Sequence, residues 1–87
     1  MFKKVFSIYD SCAGVYSPPM CYVAEGEAMR DFGDATTQVE SKICQHPEHF
    51  SLYRIGTFDD SNGEIEPVDR VVVATALEIK AQMLNEG

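Results

Sequence analysis

The chain has no tryptophan, only 3 cysteines, and 7 Lys and Arg against 14 Asp and Glu, for a net charge of −7. Each shortage excludes something. Cys12, Cys21 and Cys44 are odd in number and form no Cys-x-x-Cys pair. A disulfide-stapled secreted scaffold is therefore not expected, and the three read as free thiols of a reducing compartment. The carboxylate excess argues against a protein that holds nucleic acid by overall charge, because phosphate attracts Lys and Arg and repels Asp and Glu. No apolar run approaches the ~18 residues of a membrane-spanning helix. Asp10 stands where the apolar segment of a secretory signal would continue, so a cytoplasmic location and no membrane partner are expected. Gly-x-Ser-x-Gly and a glycine-rich phosphate loop are both missing. The acidic pairs Asp59-Asp60 and Glu64-x-Glu66 flank a turn, where carboxylates serve more often as solvated turn formers than as general acids. No enzymatic activity, catalytic residue or cofactor is expected.

What is present is an ordinary globular composition, with 45% hydrophobic and 24% charged residues, which excludes disorder by composition. At 87 residues the chain buries only roughly 60 to 65% of its unfolded surface and cannot be divided into two cores, so residues 1–87 are expected to form one domain. Residues 2 to 9 read as a strand, with Phe2, Phe6 and Ile8 on one side and Lys3, Val5 and Tyr9 on the other. Residues 10 to 24 hold Gly14 and Pro18-Pro19 and read as a long aromatic loop. From Gly26 to Val39, Ala28, Phe32, Ala35 and Val39 recur at helical spacing. Pro47 to Phe50 suits one helical turn, capped by His46.

Residues 51 to 58 read as a strand, Asn62-Gly63 as a type I′ hairpin turn, and Glu64 to Val68 as an antiparallel return that Pro67 confines to an edge. From Asp69 as N-cap, Val72, Ala76, Ile79 and Met83, widened by Val73 and Leu77, predict a C-terminal helix ending before Gly87. The β-branched run Val71-Val72-Val73 leaves a strand over residues 70–74 as the alternative. The fold class is α+β, with about three largely antiparallel strands and two helices covering one face. The other face then needs a cover, for which a homodimer is the simplest supplier.

Two groups of side chains could carry a function. Cys44-x-His46-x-x-His49, joined by Cys12 or Cys21, offers thiolate and imidazole to a metal, but zinc sites use two ligand pairs at defined spacings. The pair is therefore read as surface histidines beside a turn, and no metal is expected. The second group is aromatic and basic. Residues 1 to 22 carry Lys3, Lys4 and Asp10, a balance of +1, whereas the remainder carries five basic and thirteen acidic residues. Strand-borne aromatics stack on unpaired bases while nearby cations neutralise phosphates. Lys3, Lys4, Tyr9, Tyr16, Tyr53, Arg54 and Phe58 supply both ingredients; the competing reading makes these aromatics core or dimer contacts.

Five stretches spread over residues 3 to 67 share one resemblance: KKVFSIYDS, the proline pair, GEAMRDFGDA, His46-Pro47-Glu48, and Tyr53-x-Ile55-Gly56 leading to Phe58-Asp59. Together they resemble the small nonstructural protein of gokushoviruses, the single-stranded DNA phages of the Microviridae. Cys44 and His49 depart from that pattern, and the last twenty residues match it less clearly. The resemblance implies an accessory role in viral DNA synthesis or packaging through single-stranded DNA binding, in the host bacterial cytoplasm. The acidic surface favours a different reading, an interaction module that binds the replication initiator, a capsid component or a host factor without touching DNA.

Overall fold

A computed structural model describes residues 1–86, with side chains through Gln82. Its centre is β1 (Phe2–Asp10), which pairs antiparallel along its whole length with β4 (Phe50–Asp59). On the far side of β4 lies β5 (Glu64–Thr75), a twelve-residue antiparallel edge strand. On the far side of β1 lie β2 (Val15–Tyr16) and β3 (Met20–Tyr22), both antiparallel to it. The sheet thus has five strands where the sequence suggests about three.

The two extra strands come from the segment expected to be a loop. Tyr9 faces Tyr16, the Ser17 N–H donates to the Ile8 carbonyl at 2.8 Å, and pairing resumes one residue out of step at Phe6 and Met20. Pro18-Pro19 sits at that step, at a sheet edge where a missing N–H leaves no ladder bond unmade. Ser17 secures the crossing: its Oγ accepts from the Ile8 N–H at 2.9 Å, and the buried Ser7 hydroxyl donates to the Ser17 carbonyl at 2.8 Å.

The β4–β5 return is an edge strand, as Pro67 requires. Its turn is not type I′, because among the described residues only glycine takes positive φ: Gly63 at +79° and Gly14 at +71°. Each closes a four-residue loop in which the glycine N–H reaches back to an aspartate carbonyl, Gly63 to Asp59 and Gly14 to Asp10, both at 2.8 Å. β5 also runs through Val71–Val73 to Thr75, so the strand alternative for residues 70–74 is the correct one. Two irregularities let it do so. Val73 is an extra residue between the pairs Leu52–Ala74 and Tyr53–Val72, and Val68, Asp69 and Arg70 lie opposite the single residue Ile55.

Three helices complete the chain. They are α1 (Glu25–Thr37), the single turn α2 (Lys42–Gln45) and α3 (Ala76–Glu86). A 3-10 turn spans Pro47–His49; His46 occupies its cap position but makes no side-chain cap bond. α1 ends before Val39, which is exposed, and Thr36 takes its place on the buried side. α3 starts seven residues after the expected N-cap Asp69, and the N–H of Glu78 instead bonds Thr75 Oγ1 at 3.2 Å. The Met83 side chain of the expected stripe lies outside the described residues.

Ala28 and Phe32 of α1 and Ala76 of α3 join Phe6, Leu52 and Ala74 of the sheet in one buried cluster, so both long helices cover the same sheet face. Tyr22 extends it edge-on to Phe6, with ring centroids 5.9 Å apart, and anchors α1 by donating its hydroxyl to Asp31 Oδ2 at 2.8 Å. Among the described residues no helix is long and apolar enough to cross a membrane.

Candidate nucleic-acid interface

Strand alternation decides which expected site residues can work together. Ile8 and Leu52 pack on the helix-covered core, so their neighbours Tyr9 and Tyr53 lie on the other face, and pairing of Tyr9 with Tyr16 brings in the third ring. The rings form one cluster: Tyr9 and Tyr16 are 4.6 Å apart at a 41° tilt, while Tyr53 stands edge-on to Tyr9 at 6.2 Å and to Tyr16 at 5.8 Å. The edge-to-face contacts of Tyr53 are of the kind that the ring quadrupole favours. No helix takes part in this cluster.

A residue outside the expected set completes it. The guanidinium carbon of Arg70 lies 5.4 Å from the centre of the Tyr16 ring, and Nη1 donates to the Tyr16 hydroxyl at 3.3 Å. Arg70 is exposed and forms no ion pair among the described residues. The loose segment of β5 opposite Ile55 carries it, a placement that a helical reading from Asp69 onward conceals.

The other expected residues are divided. Lys3 and Phe58 pair across β1 and β4 on the tyrosine face, but six strand steps, about 20 Å, separate Lys3 from Tyr9. Lys3 Nζ is also 3.8 Å from Asp60 Oδ2, while the Met1 ammonium holds Asp60 Oδ1 at 2.8 Å. That ammonium keeps the Asp60 carboxyl below its usual range, so Asp60 stays charged and competes with any phosphate for Lys3. Asp59 is also held low, by the Ser61 hydroxyl and then its N–H, in keeping with a turn-forming role. Lys4, paired with Thr57, turns to the helix-covered face. Arg54 does too, opposite Phe6, where its Nη2 reaches Thr57 Oγ1 at 3.4 Å and its Nε is buried with no partner.

The geometry therefore gathers Tyr9, Tyr16 and Tyr53 under Arg70, leaves Lys3 and Phe58 at the far end of the same face, and sends Lys4 and Arg54 to the other. Exposed apolar residues lie along β5 on both faces: Val72 opposite Tyr53 beside the cluster, Val71 opposite Arg54 on the other face, and Ile65 opposite Phe58 at the far end. No curated protein and no solved structure matches the chain. The family model described as phage ORF5 protein matches residues 3–79, nearly the whole chain and every strand described above, and the protein belongs to that phage family.

Proposed function

We propose that this phage accessory protein is a non-enzymatic single-stranded DNA-binding protein of the gokushovirus type, acting in viral DNA synthesis or genome packaging in the host bacterial cytoplasm. The observation that carries this reading is the tyrosine cluster with an exposed arginine on a sheet face that the helices leave free. Unpaired bases stack on strand-borne aromatic rings at about 1–3 kcal/mol each, and arginine serves both a ring face and a phosphate. Tyr16 is 38% exposed, and Arg70 rests on its ring without a carboxylate partner. On binding, the guanidinium swings to a phosphate and the ring face that it leaves takes a base. A local cation above clustered rings makes contact possible on a chain whose overall charge is −7.

Fluorescence anisotropy with a labelled oligothymidylate at two salt concentrations tests this. Tyr16→Ala is expected to weaken binding by about 1–3 kcal/mol. Arg70→Ala should also flatten the plot of log affinity against log salt, by about 0.7, because one fewer phosphate is neutralised. Lys4→Ala, on the other face, should leave both affinity and slope unchanged. Absence of binding by the parent protein, or equal effects of Arg70→Ala and Lys4→Ala, would overturn the assignment.

The exposed apolar residues of the edge strand β5 support a second reading, an interaction module for a replication initiator, a capsid component or a host factor. An edge strand offers unpaired backbone groups to another chain. In that case Val71→Asp would abolish function in the infected cell while anisotropy detects no DNA contact.

A further inference from the structure

A turn of three residues to the cycle brings positions i and i+3 over one another, and the Pro47–His49 turn does this with two imidazoles. The His49 N–H closes it on the His46 carbonyl at 3.0 Å, and the two rings stack with centroids 5.9 Å apart and planes at 23°. Between them stands Glu48, whose Oε1 lies 3.9 Å from His46 Nδ1 and 3.9 Å from His49 Nε2. One ligand atom from each of the three residues falls within 4.8 Å of the others. Around a tetrahedral zinc ion, with bonds of about 2.0–2.2 Å, such atoms stand about 3.4 Å apart. The trio is thus about 1 Å per side chain from a closed cage, and side-chain exposures of 57%, 51% and 36% for His46, Glu48 and His49 leave room for that movement. Pro47 fixes the backbone between the donors and lowers the ordering cost.

We propose that His46, Glu48 and His49 form a binding site for a divalent transition metal ion, with zinc as the best match to two imidazoles and one carboxylate. Cys44, the expected partner of these histidines, is not part of it. Its carbonyl accepts from Lys80 Nζ at 2.7 Å and its Sγ lies 3.8 Å from the same nitrogen. Instead the two histidines line an open pocket together with Asp10 and Cys12. Asp10 Oδ1 is already taken by the N–H groups of Cys12 and Ala13, at 3.0 and 3.3 Å. His46, Glu48 and His49, whose ligand atoms alone among the described residues come this close together, supply three ligands, and water supplies the fourth. The Ser11 N–H, which donates to the His49 carbonyl at 2.9 Å, ties this site to the hairpin that carries Tyr9 and Tyr16. Metal binding at this turn does not depend on DNA binding at the tyrosines.

Isothermal titration calorimetry of the full chain with zinc chloride alone, after treatment with a chelator and its removal, decides the matter. One ion per chain is expected. His46→Ala and His49→Ala should each weaken binding at least about tenfold, the loss that follows removal of even an outer-shell partner. Cys44→Ser should leave binding unchanged. Both histidines are exposed enough for the variants to fold, which a cooperative melt verifies. Absence of saturable binding, binding that persists in the His46→Ala/His49→Ala double variant, or binding abolished by Cys44→Ser would each overturn the proposal.

Discussion

Single residues decide how closely the strands approach. A Cβ built on Gly56 would lie 2.8 Å from the Glu66 carbonyl oxygen, a backbone atom that cannot rotate aside. Gly56 also stands beside the β1–β4 irregularity, between Val5 on one neighbour and Pro67 on the other. Gly56→Ala must therefore push β5 outward, and a loss of about 1–3 kcal/mol is expected from urea unfolding midpoints, as for other overpacked sites. A midpoint equal to that of the parent protein would show that β5 yields freely there. Single residues are also where the site is hardest to read in the sequence. Tyr9 and Tyr53 announce themselves on strands, but nothing local says that Arg70 will meet Tyr16, 54 positions away. Lys3 and Lys4 look equivalent in sequence; alternation puts them on opposite faces, and an ion pair with Asp60 engages the one that shares the tyrosine face.

Elements are legible where one period holds for several turns or strand residues. β1, α1 and β4 come from such runs, whereas the edge character of the return strand comes from Pro67. β2 and β3, of two and three residues, are too short to show a period, yet their hairpin has a readable sign. Asp10-Ser-Cys-Ala-Gly14 and Asp59-Asp-Ser-Asn-Gly63 share the spacing Asp-x-x-x-Gly. In both the aspartate side chain bonds backbone N–H groups of the loop while the glycine turns through positive φ. Neither glycine has a neighbour within 4 Å of an added Cβ, so substitution strains the backbone without a clash. Gly14→Ala and Gly63→Ala are each expected to cost about 1–2 kcal/mol by thermal or urea unfolding. A neutral Gly14→Ala would mean that the first hairpin contributes little to the folded state. The start of α3 is hidden for another reason. Val72, Val73, Ala76 and Leu77 have helical spacing, but Val73 is the extra residue of an irregular strand, and irregularity of this kind disguises period two as something nearer to four.

At the scale of the whole molecule, the surface is large for the mass. A monomeric protein of 9.7 kDa typically exposes roughly 5,100 Å², whereas this chain exposes 5712 Å². Its radius of gyration, 13.5 Å, exceeds the roughly 12 Å of a compact domain of this length, and its extents are 43 × 27 × 22 Å. The buried apolar set is small and alanine-rich: Val5, Phe6, Ala28, Phe32, Leu52, Ala74 and Ala76. Meanwhile Ile65, Val71, Val72 and Leu77 remain half exposed or more along β5 and the start of α3. A second copy paired isologously through β5 would complete the open edge of the sheet and bring these side chains against its own. It would also bring two Arg70–tyrosine patches into one particle, so that a single strand engaging both gains from effective concentration. Sedimentation equilibrium at micromolar concentration is expected to return about twice 9.7 kDa, and Val71→Asp, which places a charge on the edge strand, is expected to shift the distribution to monomer. A parent protein that sediments as a clean monomer would overturn the dimer and leave β5 open to a different chain. Oligonucleotide affinity that falls together with dimerisation in Val71→Asp would tie the two patches to one strand. Unchanged affinity would confine DNA contact to a single cluster.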